Sequence, residues 1–93
     1  MIKSFRCKDT RQLFDDLSVR RFHSVQRASR RKLLMIHRAK ELGDLRVPPG
    51  NHLEALKGDR AGFHSIRIND QWRVCFRWVE GDTFDVEIVD YHK

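Results

Sequence analysis

The sequence predicts an α+β domain in the order strand, two helices, three strands, with an antiparallel sheet packed on one face by the two N-terminal helices. Three observations carry this. Apolar residues recur near helical spacing up to Leu42, they alternate with polar ones from Phe63 onward, and 93 residues leave room for one hydrophobic core. Residues 1–93 are therefore read as a single domain.

Ile2-Lys3-Ser4-Phe5-Arg6-Cys7 alternates and reads as a short first strand. Asp9-Thr10 follows, with Asp9 and Gln12 in capping-box spacing, and Leu13, Phe14 and Leu17 form one stripe of a short helix. Ser24 is an N-cap candidate for a longer helix, in which Val25, Ala28, Leu33, Ile36, Ala39 and Leu42 face the core and Gly43 stops the chain. Pro48-Pro49-Gly50 makes residues 44–51 a loop, because consecutive prolines remove backbone donors. Three hairpin-linked strands complete the domain, Phe63 to Ile68, Gln71 to Val79 and Thr83 to Tyr91, turning at Asn69-Asp70 and at Glu80-Gly81-Asp82.

Charge is unevenly spread. The net charge is +6, yet residues 1–47 carry 13 basic and 5 acidic groups while residues 48–93 carry 6 and 8. Arg20, Arg21, Arg27, Arg30, Arg31, Lys32, Arg38 and Lys40 follow one another with no acid between them, so salt bridges within the helix do not account for them. Such a surface suits nucleic acid or an acidic partner, beside the plainer reading of a solvated helix face. No apolar run approaches the roughly 18 residues of a membrane span, and no apolar stretch follows the basic start as in a secretory signal. Cys7 and Cys75 show no ligand spacing, so no disulfide framework, metal or cofactor is expected, and a reducing cytoplasm fits.

Strand parity sorts the side chains. Ile66, Ile68, Trp72, Val74, Phe76, Trp78, Phe84, Val86 and Ile88 fall on one face, which the helices must cover. Ser65, Arg67, Arg73, Cys75, Arg77, Asp85, Glu87, Val89 and Tyr91 fall on the other. A polar outer face is ordinary for an antiparallel sheet. The C-terminal run Asp90-Tyr91-His92 is less ordinary, since it places carboxylate, phenol and imidazole beside a loop holding His52, Glu54, Lys57, Asp59 and Arg60. Those groups match the needs of RNA phosphodiester cleavage: a base for the 2′-OH, cations for the charged phosphorane and an acid for the leaving 5′ oxygen. His23 and His37 read as surface groups, Cys75 as a packed thiol, and Trp72 and Trp78 as core.

Leu53-Glu54-Ala55-Leu56-Lys57-Gly58-Asp59-Arg60-Ala61-Gly62, the stretch from Ser65 to Phe76 with its Gln71-Trp72-Arg73, and the closing Asp90-Tyr91-His92 resemble the HigB toxins (GraT-like branch) of the RelE/ParE superfamily. The resemblance runs over essentially the full chain. It implies a RelE-like β-α-α-β-β-β fold, a ribosome-dependent and metal-independent mRNA endoribonuclease, and a HigA-like helix-turn-helix antitoxin. By position it implies Lys57, Arg73, Asp90, Tyr91 and His92 as catalytic residues.

Glu54 departs from the pattern, because some HigB toxins carry a histidine there. It is kept in the catalytic set as a replacement base or as a group orienting Lys57; His52, His64 and His92 are the other base candidates. Arg60, Arg67, His52 and His64 are expected to contact RNA, and Arg27, Arg30 and Arg31 the antitoxin. Ribosome and mRNA are the further partners expected, with no membrane. Two other functions use the same fold or charge: a ParE-like toxin acting on gyrase by protein binding, and a non-catalytic RNA-binding module.

Overall fold

A computed structural model describes residues 1–91, and His92 lies outside them. Four strands, β1 (Glu54–Ala55), β2 (Phe63–Arg67), β3 (Trp72–Val79) and β4 (Asp82–Asp90), form an antiparallel sheet in chain order. Two helices, α1 (Lys8–Phe14) and α2 (Gln26–Arg38), lie against one face of it. Leu13, Phe22, Leu33, Ile36 and Leu45 meet Ile66, Val74, Phe76, Val86 and Ile88 in a fully buried core. Trp72 sits at its edge, with Phe22 edge-on at 5.5 Å. No helix among the described residues is long and apolar enough to cross a membrane.

The N-terminal segment forms no regular strand. Ile2 and Phe5 make isolated parallel bridges to Thr83 and Val86 of β4. The segment instead closes the sheet edge. Thr83 N donates to the Met1 carbonyl, Asp85 N to Ser4 Oγ, Val86 N to the Ser4 carbonyl, and Ile88 N to the buried Thr10 Oγ1. An unpaired edge would invite another chain, so these bonds protect β4.

Neither expected N-cap side chain caps its helix. Cys7 precedes α1 and Val25 precedes α2, both without a side-chain capping bond. Ser24 lies inside a 3-10 turn (Arg20–Val25). Gln26 ties this region down instead, its Oε1 accepting from Ser18 Oγ and Val19 N. Helix α2 ends at Arg38 with extended backbone at Ala39. Gly43 falls beyond that end, inside a second 3-10 turn (Leu42–Arg46), and is no helix stop.

A bulge between β3 and β4 changes the predicted faces. The register runs Cys75 to Glu87 and then Arg77 to Phe84, with Asp85 in the left-handed region at φ 55°. One extra residue in β4 reverses parity before it. Phe84 therefore leaves the core face and lies under Arg77, whose guanidinium is 5.6 Å from its ring. Arg77 Nε also donates to Asp85 at 2.8 Å.

Arg30 is not a free docking cation. Its guanidinium donates to the carbonyls of Leu13 and Leu17 at 3.1 and 2.7 Å and pairs with Asp16, clamping the chain as it leaves α1. Arg30→Met is expected to lower the unfolding free energy by about 1–2 kcal/mol, since charged hydrogen bonds contribute roughly 1.5–3 and this one is partly solvated. Urea denaturation should show a lower midpoint with an unchanged slope. His37 is likewise structural: its Nδ1 accepts from Ile2 N, and its ring lies 5.3 Å from Phe14.

Candidate active site on the outer face of the sheet

Register brings the predicted cations together. In β2 and β3, Arg67 is directly opposite Arg73 and Ser65 directly opposite Cys75, while Glu54 of β1 is opposite Ser65. Facing pairs share one side of a sheet, so Glu54, Ser65, Arg67, Arg73 and Cys75 form one patch on the face away from the helices. Glu87 joins it opposite Cys75. Two like charges directly opposite each other repel. Asp70 offsets this by pairing with Arg67, and Glu54 by pairing with Arg73 at 3.5 Å.

Arg73 is the best-held group in the patch, with only 12% of its side chain exposed. Its Nε donates to Ser65 Oγ at 2.9 Å, Nη2 to the His52 carbonyl at 2.7 Å and Nη1 to Glu54 Oε1. A guanidinium carries five donors, so two remain, one on each terminal nitrogen. That leaves a fork suited to two oxygens of a phosphate. The ring of Tyr91 lies 5.8 Å from the same guanidinium.

The Tyr91 hydroxyl lies 3.8 Å from the Cys75 thiol. Burial pushes the phenol above its ordinary value, and the Cys75 contact adds to that shift. The phenol therefore stays protonated near neutral pH and serves as a donor. Burial also pushes the Cys75 thiol up, which keeps it un-ionised and makes it a packed floor to the site. Asp90 pairs in register with Trp72, and its Oδ2 accepts from Gln71 Nε2 at 3.2 Å.

The β1–β2 connection supplies the remaining cations. Lys57 is exposed and opens the 3-10 turn (Gly58–Arg60). Arg60 reaches back to Glu87 through Nη2 at 3.3 Å, and its buried Nη1 has no partner among the described residues. Glu54 Oε1 accepts from Arg73 Nη1 at 3.5 Å. His52 contributes its carbonyl from a left-handed backbone position, φ 45°, and the residue is exposed.

His64 is not brought to the patch. It is opposite Phe76 on the core-facing side, stacked on that ring at 6.3 Å, with its Nδ1 buried and unpartnered among the described residues. Burial lowers its pKa. The native state thus sheds a proton that the unfolded chain holds below about 6.5, and stability falls as pH drops through that value. His64→Phe should flatten the loss, measured as the difference in denaturation midpoint between pH 8 and pH 5.5.

Three residues at the site were not singled out from sequence as functional: Ser65, which holds Arg73; Glu87, which holds Arg60; and Cys75, which meets Tyr91. Parity had placed all three on the correct face. Of the antitoxin candidates, Arg27 and Arg31 are exposed on α2, and the site lies on the opposite side of the sheet.

Residues 3–92 match the family described as HigB-like toxin, the RelE-like toxin of type II toxin-antitoxin system HigB. Toxin HigB-1 of Vibrio cholerae is 38% identical over 95 residues, covering 100% of this chain and 99% of that protein. Endoribonuclease HigB of Proteus vulgaris is 37% identical over 94 residues, covering 99% and 100%. Among solved structures, a point mutant of YafQ from E. coli superposes with a TM-score of 0.63 at 12% identity over 98% of this chain and 92% of its own, which shows the shared fold. On the match across residues 3–92 and the two full-length relatives, the chain belongs to the HigB family of RelE-like toxins of type II toxin-antitoxin systems.

Proposed function

We propose that this toxin is a ribosome-dependent mRNA endoribonuclease, acting in the cytoplasm through the outer face of its sheet. The observation that carries the reading is the guanidinium of Arg73, anchored on three partners beside Glu54 and Tyr91. In the reaction, Glu54 takes the 2′-OH proton and the oxygen attacks the adjacent phosphorus. Arg73 binds the phosphorane oxygens as their charge grows. Arg60, Arg67 and Lys57 add positive charge along the strand, and Tyr91 donates a hydrogen bond while stacking against a base. His92, which directly follows Tyr91, protonates the 5′ oxygen as the P–O bond breaks. The products are a 2′,3′-cyclic phosphate and a 5′-hydroxyl. Asp90 supports the C-terminal groups through its place beside Gln71.

The antitoxin in this reading is a HigA-like helix-turn-helix protein. It meets the basic face of α2 through Arg27 and Arg31, while Arg30 is occupied with its own backbone. Primer extension on cellular messages after toxin induction tests the activity. New 5′ ends inside reading frames are expected; intact messages accompanied by gyrase-dependent DNA breaks would replace this reading with the gyrase-directed one.

A further inference from the structure

We infer that Asp70 is a specificity-determining residue, whose carboxylate occupies Arg67 in the free toxin where a phosphate of single-stranded RNA would sit, and so weakens the hold on RNA that no ribosome has positioned. The inference rests on the ribonuclease reading above and concerns its choice of substrate.

Three guanidiniums of the outer face each meet an acid, but they are held differently. Arg73 has two neutral acceptors besides Glu54, the Ser65 hydroxyl and the His52 carbonyl. Arg60 meets Glu87 with both side chains half-buried. The Arg67 guanidinium meets Asp70 and no other acceptor among the described residues, and that carboxylate stands on the β2–β3 turn, 99% exposed. An ion pair so open to water is weak. A phosphate brought to Arg67 therefore displaces it.

The turn does not need the Asp70 side chain. Asn69 Oδ1 accepts from Gln71 N and Trp72 N, both at 2.8 Å, which is the side-chain bonding that fixes such a turn. Register gives the Arg67–Asp70 pair its consequence. Arg67 is directly opposite Arg73, and facing side chains start about 5 Å apart on one side of a sheet. With Arg73 on the scissile phosphate, Arg67 lies at a neighbouring phosphate of the same strand. Asp70 opposes that second contact twice, by engaging the guanidinium and by repelling the phosphate charge. A message fixed on the ribosome presents its phosphates at high effective concentration and displaces the carboxylate. Loose RNA must do so from its own binding energy.

The test compares Asp70→Asn, Arg67→Ala and the double variant of the full chain, with Asp15→Asn as a control that makes the same charge change at an exposed position at the end of α1. Thermal melts confirm folding, and fluorescence anisotropy measures the affinity for an unstructured oligoribonucleotide at several salt concentrations. Asp70→Asn should bind at least about threefold more tightly, the upper part of what an exposed ion pair is worth. Its plot of log affinity against log salt should steepen by about 0.7, the contribution of one phosphate on a single strand. In the Arg67→Ala background the same substitution should add no more than Asp15→Asn does. Cleavage of naked RNA should rise more than cleavage of ribosome-bound message, so the preference for the ribosome narrows. Unchanged affinity, a gain that Asp15→Asn matches, or a gain that persists without Arg67 overturns the proposal. So does a tighter Asp70→Asn whose preference for the ribosome is unaltered. If wild-type toxin cuts neither RNA, the ribonuclease reading fails, while the affinities still decide whether Asp70 competes with phosphate.

Discussion

Replacing Arg73 with alanine should slow cleavage of ribosome-bound message by about two to three orders of magnitude, equivalent to roughly 2.7–4 kcal/mol of barrier, the usual effect of removing one oxyanion donor. The guanidinium is held on three sides by Ser65, His52 and Glu54, so no energy is spent orienting it when the phosphorane forms. The substitution also frees the His52 carbonyl and Ser65 hydroxyl, costing about 1–3 kcal/mol of stability. Rates are therefore compared per folded molecule under single-turnover conditions. Arg73→Lys should be nearly as slow, because one ammonium cannot hold both anchors and also present a fork. Wild-type turnover by folded Arg73→Ala would remove this residue from the mechanism.

Ribosomes should accelerate cleavage of the same RNA sequence by at least about five orders of magnitude, because orientation is worth roughly 7–11 kcal/mol in well-aligned reactions and here the ribosome must supply it. The site offers one guanidinium fork, a carboxylate and a phenol held protonated, on a face where Glu54 and Tyr91 remain 55% and 40% exposed. Nothing among the described residues encloses a flexible message or lines up its 2′-OH with the scissile bond. Equal rates on naked and ribosome-bound RNA would show that the toxin aligns its substrate alone.

The helices and the three long strands are legible because burial imposes period 3.6 or period 2 wherever one face meets a core; the turn read as Glu80-Gly81-Asp82 is one residue shorter, because Asp82 already belongs to β4. The same rule placed Arg67, Arg73 and Tyr91 on the outer face. Parity misplaces Phe84 because a bulge reverses it, and the mark in the sequence is Asp85, a residue type depleted in strands and tolerant of the left-handed conformation it adopts here. The Ile2–Cys7 segment alternates correctly, but alternation reports which side is buried and is silent on how regularly the backbone pairs. Two-residue β1 reads as loop for the converse reason: it is held by pairing to β2, with both residues exposed. Arg30 looked like its neighbours on α2 because its carbonyl partners belong to a segment 13 and 17 residues earlier. The chemistry of His64 suits the site, but its parity aligns it with Ile66 and Ile68 on the core-facing side.

One programmed message, bound to purified ribosomes and incubated with purified toxin, tests the central claim most directly when its fragments are identified by mass spectrometry. Wild-type toxin should yield a break within the codon at the decoding site, with a 2′,3′-cyclic phosphate on one fragment and a 5′-hydroxyl on the next, and folded Arg73→Ala should yield almost none. An intact message with wild-type toxin, or the same fragments at the same rate from Arg73→Ala, would contradict the assignment of this face as a ribonuclease site.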